Sequence, residues 1–200
     1  MRRRSEQIDE TRRRIVEAAV LLHGTVGPAA TTIAGIADQA GVSRLTVYRH
    51  FADDETLFAA CSTHWLSQQD LPDLEALARI ADPEERLRAG LTDLYRYYRH
   101  GEQLLTLVRR DKATLPEPIR QAIDRADGRR RDVLLKPFAA TGPTRRRLRA
   151  VLGHAVSFWT WRSLCIEQGL SNREGVDAMV ALVLTTADPT RPAEPDLELA

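Results

Sequence analysis

The sequence predicts an all-α protein. Apolar residues recur at helical spacing along almost the whole chain up to residue 187, and no stretch shows the sustained alternation of a half-buried β-strand. Glycine and proline fall between these periodic segments, where they end helices. We expect about nine helices, over residues 9–26, 33–40, 44–50, 54–69, 83–100, 102–113, 116–138, 145–168 and 172–187.

Local signals define several of these helix ends. Thr32 and Asp53 stand where an N-cap side chain would bind the first N–H groups of the second and fourth helices. Ser171 and Glu174 have the spacing of a capping box and open the last helix. In the first helix we expect one buried stripe, formed by Ile15, Ala18, Ala19, Leu22 and Val26.

Composition places the chain among soluble globular proteins, since 43% of its 200 residues are hydrophobic and 28% are charged. No apolar run approaches the ~18 residues of a membrane span, and the basic N-terminus lacks the apolar stretch of a secretory signal. We therefore expect a cytoplasmic protein. Cys61 and Cys165 lie far apart without metal-ligand spacing and are interpreted as small apolar fillers, with a redox switch as the alternative.

The distribution of charge is more informative than the formal net charge of +1. The first 14 residues contain six arginines and three acids, an excess that could bind phosphate or simply form a solvated helix face. Two arginine triplets, at residues 129–131 and 145–147, are interpreted as solvated surface. Three consecutive helical residues point around most of the helix and do not share a face.

The segment over residues 32–50 carries the functional signal. Its two helices of about two turns each are too short to be stable alone, and the link between them contains Gly41, which can adopt the positive φ of a sharp turn. In the second helix Val42 and Val47 point inward, while arginine, tyrosine and hydroxyl side chains point outward. Such side chains bind bases and phosphates. The segment therefore predicts a helix-turn-helix whose second helix enters the major groove of DNA.

A family resemblance supports this prediction. The run from Thr32 to Phe51, TIAGIADQAGVSRLTVYRHF, followed by Leu57, closely resembles the N-terminal domain of TetR-family transcriptional regulators. The shared features are the T-x-x-x-I-A start, the A-G-V-S turn and the T-x-Y-x-H-F end of the recognition helix. The resemblance extends over about residues 8–62.

The resemblance implies a domain plan. An N-terminal three-helix DNA-binding domain, residues 1–52, would precede a larger helical domain, residues 53–187, that dimerises and binds a small-molecule inducer. Residues 188–200, with three prolines and four acids, are predicted to form a disordered tail.

The resemblance also implies individual DNA contacts. Thr32, Tyr48 and His50 would contact phosphate. The residues that would face base edges or the neighbouring backbone are Arg44, Leu45, Thr46 and Arg49. Leu45 departs from the small residue common in the family, and Asp54 stands where a lysine often meets phosphate, so Asp54 is left out. The predicted DNA-binding residues are Thr32, Ser43, Arg44, Leu45, Thr46, Tyr48, Arg49 and His50.

The last two predicted helices are apolar on most faces, which the resemblance explains by a four-helix bundle with a second copy of the chain. A monomer with an unusually central helical hairpin is the alternative. The predicted dimer interface consists of Leu152, Ala155, Trp159, Val176, Met179, Val180 and Val183.

An inducer pocket is expected within residues 83–168. Tyr95 and Tyr98 could offer hydroxyl groups there to a largely apolar, aromatic ligand. Each candidate position could instead be ordinary core. The predicted ligand-binding residues are Leu91, Leu94, Tyr95, Tyr98, Leu104, Val108, Phe138, Phe158 and Trp161.

Motifs of other protein classes are missing from the sequence. It has no glycine-rich phosphate loop, no HExxH and no nucleophile elbow, and its five histidines are scattered. We therefore expect no enzyme, no cofactor and no metal site. The function predicted is that of a homodimeric repressor, released from double-stranded operator DNA by a small-molecule ligand. A dimeric DNA-binding regulator under the control of a protein partner or of redox chemistry is the alternative.

Overall fold

The computed structural model describes residues 2–188, with side chains from residue 6 onward. Within that range the chain contains helices and no β-strand, as the sequence predicts. Its α-helices are α1 (Arg2–Thr25), α2 (Ile33–Ala40), α3 (Arg44–His50), α4 (Asp54–Leu66), α5 (Leu74–Arg79), α6 (Pro83–His100), α7 (Glu102–Arg110), α8 (Glu117–Leu135), α9 (Gly142–Ala155), α10 (Phe158–Arg162) and α11 (Asn172–Ala187). Short 3₁₀ turns occur at Pro28–Ala30 and Lys112–Thr114, and a π-helical turn occurs at Ser163–Glu167.

The chain divides into two compact units. The first unit contains the described residues up to Asp70 together with Arg99–Asp124, and the second contains Leu71–Tyr98 and the described residues from Arg125 onward. The unit around the helix-turn-helix therefore extends past the predicted boundary between residues 52 and 53, because α4 and α7 both pack on α1. That boundary, as a division of function, stays a prediction.

The core of the first unit lies where α1, α2, α3 and α4 meet. Burial of a side chain the size of isoleucine stabilises a fold by about 2 kcal/mol, and this packing holds helices as short as α2 and α3. The stripe predicted on α1 is correct for its first three members, but Leu22 is half-buried and Val26 is exposed beyond the end of the helix. The buried hydrophobic residues of this cluster are Ile15, Val16, Ala18, Ala19, Ile36, Ala37, Ala40, Val47, Phe51, Leu57 and Cys61.

Side-chain caps form at the predicted helix starts. The Thr32 hydroxyl oxygen accepts a 3.0 Å hydrogen bond from the N–H of Gly35, and the Asp53 carboxylate accepts one of 2.7 Å from the N–H of Thr56. The bond to Thr56 lowers the pKa of Asp53. Both reciprocal bonds of the capping box between Ser171 and Glu174 are present at the start of α11. These groups satisfy N–H donors that have no partner within the helix.

The interior of the second unit is built around α6. This helix buries Leu87, Leu91, Leu94, Tyr95 and Tyr98, and it does so with aromatic rings as well as aliphatic groups. Helix α9 packs against α11, so both helices bury a face inside the unit.

The prediction of one long helix over residues 145–168 is wrong, because the helix breaks after Ala155. The backbone of Ser157 is extended, and its hydroxyl oxygen accepts a hydrogen bond from the N–H of Trp159, so Ser157 caps a new helix, α10. Serine competes in this way with helical backbone bonding. Residues on both sides of the break are apolar, which is why the sequence pattern does not reveal it.

Helix α5 was not predicted. Asp73 caps its start by accepting hydrogen bonds from the N–H groups of Glu75 and Ala76, both 3.0 Å long. The buried guanidinium of Arg86 donates to the carbonyl oxygens of Ala78 and Ile80 at its end, at 3.0 and 2.7 Å. Backbone carbonyls with no partner within the helix thus compensate the burial of a charged group.

Three further features of the described residues concern membrane-spanning helices, metal-binding clusters and the two cysteines. No helix within residues 2–188 combines the length and apolar character needed to cross a membrane. In the same range no group of three or more His, Cys, Asp or Glu side chains could hold a metal ion. Cys61 and Cys165 are both buried, and burial raises the pKa of the Cys61 thiol to about 12. The tail predicted over residues 188–200 lies, apart from Asp188, outside the described residues.

Candidate nucleic-acid interface

Residues 41–43 form the sharp turn between α2 and α3. Gly41 has φ of 65°, a left-handed conformation that a side chain disfavours. The N–H of Val42 returns to the carbonyl of Ala37 at 2.9 Å, which ties the turn to the end of α2. The Ser43 hydroxyl oxygen then accepts a 3.1 Å hydrogen bond from the N–H of Thr46 and caps α3. The three residues thus end one helix and begin the next.

Helix α3 presents one face to solvent. Val47 is buried against the core, whereas Arg44, Leu45, Tyr48 and Arg49 are exposed. The latter four occupy positions i, i+1, i+4 and i+5 and therefore share one side of the helix; we term them the recognition face. Leu45 is 69% exposed and Tyr48 is 55% exposed, so this face includes large apolar and aromatic surface together with two guanidinium groups.

The other predicted DNA-binding residues also have structural tasks. The Ser43 and Thr46 hydroxyl groups lie 2.9 Å apart and hydrogen-bond to each other. The Thr32 oxygen caps α2, and the hydroxyl hydrogen remains a donor that could reach phosphate. Thr46 is half-buried, unlike the exposed Thr32 and Ser43.

His50, at the end of α3, is half-buried. Its partial burial lowers its pKa, and the positive charges of Arg49 and Arg12 lower it further. The ring is therefore neutral at pH 7. A neutral imidazole still carries one N–H donor, which suits a phosphate oxygen.

Two arginines of α1 hold the ends of the helix-turn-helix. Arg12 donates a 2.9 Å hydrogen bond to the carbonyl of His50, and its guanidinium lies 4.2 Å from the centre of the Phe51 ring. Arg14 donates to the carbonyl of Ala40 at the end of α2. Cations at helix C-termini are favoured by the helix dipole and satisfy open carbonyls. Sequence analysis missed these roles, for which the basic N-terminal run was the one available signal.

Arg13, which stands between them, pairs with Glu10 at 2.7 Å and with Glu17 at 2.6 Å. The three consecutive arginines of α1 are therefore engaged within the first unit. Contacts within the first unit therefore explain three of the six N-terminal arginines, Arg12, Arg13 and Arg14, without DNA.

The start of α4 is acidic. Asp54 and Glu55 are exposed in its first turn, directly after the capping Asp53. Negative charge stabilises a helix N-terminus but repels a nearby phosphate. Asp54 can therefore stabilise the start of α4 without any role in DNA binding.

The predicted ligand-binding residues fall into two groups. Leu104 and Val108 are half-buried on α7 in the first unit, where Leu104 packs beside Gly24 of α1. The remaining seven lie in the second unit and are all buried: Leu91, Leu94, Tyr95, Tyr98, Phe138, Phe158 and Trp161.

The aromatic residues among them pack against each other. The rings of Tyr98, Phe158 and Trp161 have centroids 5.3 to 5.7 Å apart. The Tyr95 hydroxyl donates to the carbonyl of Ala155 at 3.0 Å, and the Tyr98 hydroxyl donates to that of Val156 at 2.7 Å. The expectation that these two hydroxyl groups point into an open cavity is therefore wrong, because they bind carbonyls that the break after α9 leaves without helical partners.

The predicted dimer interface also needs correction. Six of its seven residues are buried inside the single chain, because α9 and α11 pack against each other. These six are Leu152, Ala155, Val176, Met179, Val180 and Val183. Trp159 alone among the seven is exposed, at 46%. Helix α11 exposes a different side, formed by Ala178, Ala181, Leu182 and Thr185.

The helix-turn-helix segment matches a known family. Residues 15–61 match the model of the bacterial regulatory proteins of the tetR family. These residues include α2, the glycine turn, the recognition face and the first part of α4. The helix-turn-helix segment of this chain is therefore similar to that of the tetR family.

Two curated transcriptional regulators are similar to part of this sequence. The probable HTH-type transcriptional regulator ArpR of Pseudomonas putida is 37% identical over 87 residues, which cover 44% of this chain and 39% of ArpR. The HTH-type transcriptional regulator AcrR of Shigella flexneri is 36% identical over 75 residues, which cover 37% of this chain and 34% of AcrR. The matched segments thus span well under half of these relatives.

Solved structures extend the similarity to most of the fold. A TetR-like regulator from Rhodococcus sp. RHA1 superposes with a TM-score of 0.61 and 19% identity, over 88% of this chain and 94% of that one. AibR, solved with isovaleryl coenzyme A and operator DNA, gives a TM-score of 0.63 and 22% identity, over 86% and 97%. At this level of identity the similarity establishes the helical fold alone.

Proposed function

We propose that this protein is a transcriptional regulator of the TetR family and that it binds operator DNA as a homodimer. The recognition face of α3 carries the proposal: two arginines, a tyrosine and a leucine are exposed on one side of a helix that the core holds from the other side. Arginine pairs with guanine in the major groove, leucine can contact a thymine methyl, and tyrosine binds phosphate. The N–H groups and hydroxyl of the α2 start would add phosphate contacts.

The dimer would form through the exposed sides of α10 and α11. Trp159 and Leu182 are large apolar side chains, 46% and 43% exposed, in helices whose other sides are already buried. Two-fold pairing through such a surface would place two recognition helices against half-sites about one helical turn, or a multiple of it, apart. The operator would then be an inverted repeat.

A selection experiment tests DNA binding directly. The full-length protein is mixed with a duplex library that carries a randomised central segment, and bound DNA is recovered and sequenced over several rounds. We expect enrichment of an inverted repeat with two equivalent half-sites. The double variant Arg44→Ala, Tyr48→Ala should enrich no such sequence, and enrichment of nothing by the wild-type protein would contradict the proposal.

We further propose that a small-molecule ligand releases the protein from its operator, so that it acts as a repressor. AibR, which has the same fold, was solved with both an acyl-coenzyme A and operator DNA. In this chain the predicted ligand-binding residues of the second unit are aromatic and apolar, which favours a largely apolar ligand.

A second candidate function is regulation without a small-molecule inducer, by a protein partner or by redox chemistry. The close packing of Tyr98, Phe158 and Trp161 favours it, since those rings already fill the space between α6 and α10. A thermal-shift screen of the full-length protein against acyl-coenzyme A thioesters and aromatic compounds separates the two. A compound that raises the Tm and also releases the selected operator supports the inducer, and release by oxidation or by a partner without such a compound supports the second candidate.

A further inference from the structure

Two residues at the end of α7 hold the loop that joins α1 to α2. Asp111 is only 8% exposed, and its carboxylate accepts a 3.1 Å hydrogen bond from the backbone N–H of Ala29. Arg110 donates to both oxygens of that carboxylate, at 2.7 and 2.9 Å, and also to the carbonyl of Val26 at 3.2 Å. We term Arg110 and Asp111 the loop clamp.

The loop is shaped to fit the loop clamp. Gly27 has φ of 94°, and a Cβ atom there would lie 2.5 Å from a carboxylate oxygen of Asp111, which is closer than real contacts allow. The Thr31 hydroxyl donates to the carbonyl of Gly27 at 2.8 Å, so the loop is braced up to the residue before Thr32. Thr32 in turn caps α2. A short path of named bonds therefore connects the end of α7 to the start of the helix-turn-helix.

The two charges of the loop clamp, on Arg110 and Asp111, compensate each other. Hydrogen bonds from Arg110 lower the pKa of Asp111, so the carboxylate stays charged at neutral pH. Two parallel bonds from one guanidinium to one carboxylate restrict orientation as well as distance. A buried carboxylate with these partners holds the Ala29 N–H in one place, and it would be left uncompensated without them.

Resting on the proposed function, we propose that Arg110 and Asp111 are positioning residues for operator recognition. Helices α2 and α3 are too short to hold their own orientation. The loop clamp holds α2 at its N-terminal end, and Arg14 holds it at its C-terminal end. The recognition face is thereby set by residues that lie about 60 positions downstream of it in the sequence and do not themselves contact DNA.

The negative charge of Asp111 allows a positioning role to be distinguished from an effect of net charge. DNA is a polyanion, so neutralising an acid on the protein is expected to tighten binding slightly if only net charge matters. Loss of a positioning residue is expected to weaken operator binding instead. The two explanations therefore predict opposite signs for the variant Asp111→Asn.

The experiment measures binding of full-length variants to the selected operator and to a random-sequence duplex by fluorescence anisotropy. For Asp111→Asn we expect operator affinity to fall by about tenfold, with less than about twofold change on the random duplex. The matched control is Asp124→Asn, which removes an acid of the same unit that pairs with Lys112 and not with the loop. It should change both affinities by less than about twofold. Circular dichroism and thermal unfolding establish that each variant is folded at the assay temperature.

The variant Arg110→Gln tests the same proposal independently. The Arg110 side chain is half exposed and therefore tolerates replacement more readily than Asp111. The variant should weaken operator binding selectively, and the double variant should bind about as weakly as either single variant. The positioning role is overturned if the Asp111→Asn variant binds the operator as tightly as the Asp124→Asn variant does. It is also overturned if Arg110→Gln lowers the affinity for the operator and for the random duplex equally. If the wild-type protein selects no sequence, the proposed function fails together with this inference.

Discussion

The phenol hydroxyl of Tyr98 donates a 2.7 Å hydrogen bond to the carbonyl oxygen of Val156. Tyr98 lies on α6 and Val156 directly follows α9, so one buried bond joins two helices at the point where the second ends. Tyr95 makes the equivalent bond to Ala155, one residue earlier. Both tyrosines therefore act in the interior of the second unit as partners for backbone groups that a helix break has left open.

Removal of the Tyr98 hydroxyl should destabilise the protein. Tyr98→Phe keeps the ring and its aromatic neighbours but leaves a buried carbonyl without this donor, which costs about 1–3 kcal/mol. The measurement is urea unfolding at pH 7. Tyr48→Phe is the matched control, since Tyr48 is exposed, and should change the free energy of unfolding by less than about 0.5 kcal/mol. Equal effects of the two variants would contradict the structural role of the Tyr98 bond.

Operator binding should depend on the recognition face. Arg44→Ala should weaken binding to the selected operator by about 1–3 kcal/mol, the usual discrimination supplied by one arginine–base pair. Tyr48→Ala should weaken binding to operator and to random duplex alike, because a phosphate contact carries no sequence information. Gel-shift titrations measure both effects.

The control for these two variants is Arg145→Ala, which removes an exposed arginine from α9 in the other unit. It should leave operator affinity and folding unchanged. If both Arg44→Ala and Tyr48→Ala bind the operator with unaltered affinity, the assignment of these residues as DNA contacts is wrong.

Stability should fall at mildly acidic pH because of His23. This histidine is buried and stacks on Phe58, with ring centroids 4.4 Å apart, and burial lowers its pKa from 6.5 to about 4. The unfolded chain takes up a proton near pH 6.5, but the folded chain does so only near pH 4. The stabilising contribution is therefore complete above pH 6.5 and is lost as the pH falls toward 4.

Between pH 7 and pH 5 this difference amounts to about 2 kcal/mol of unfolding free energy. Urea unfolding at the two pH values measures it. His23→Phe, which keeps the stacked ring and cannot be protonated, should lose about 2 kcal/mol less than the wild-type protein over the same interval. An identical pH dependence of the two proteins would show that His23 is not the group responsible.

Self-association should depend on the exposed apolar residues of α10 and α11. Leu182→Glu and Trp159→Glu would each place a charge in the proposed interface, and we expect dissociation to be favoured by about 100-fold or more. Sedimentation velocity over a concentration series measures this. Leu71→Glu, at another exposed leucine, is the control and should leave the association unchanged. A dimer that survives both substitutions would place the interface elsewhere.

Two glycine substitutions should have opposite signs. Gly41→Ala forces a side chain into a left-handed turn and against the Arg14 guanidinium, so it should cost about 1–2 kcal/mol and weaken operator binding. Gly128→Ala lies within α8, where a Cβ meets nothing closer than 3.7 Å, and should stabilise the protein by about 0.5–1 kcal/mol. Thermal unfolding ranks the two against the wild-type protein. A stabilised Gly41→Ala would contradict the strained turn.

Local sequence signals predicted the helix-turn-helix well, because its caps and its turn are formed by neighbouring residues. Thr32, Asp53 and the pair Ser171–Glu174 cap the helices that they were expected to cap, and Gly41 has the positive φ that the turn requires. Capping and turn formation depend on contacts within about four residues. Such features can be read along the chain without knowledge of the fold.

Periodicity predicted which helices have apolar faces but not what those faces contact. The apolar residues of α9 and α11 were assigned to a partner subunit, yet six of them pack inside the same chain. The hydroxyl groups of Tyr95 and Tyr98 were assigned to a ligand, yet they bind backbone carbonyls. A helical pattern identifies a buried face, and burial inside one chain produces the same pattern as burial between two.

The sequence by itself thus determined the helical class, the helix-turn-helix segment with its caps and turn, and the similarity of that segment to the tetR family. Only the tertiary structure decided which side of α11 stays exposed, where the long helix before it breaks, and that Arg110 and Asp111 hold the loop leading to α2. The physical reason is the range of the interactions. Caps and turns join near neighbours, whereas Asp111 and Ala29 are 82 residues apart and meet only once α1 and α7 have packed.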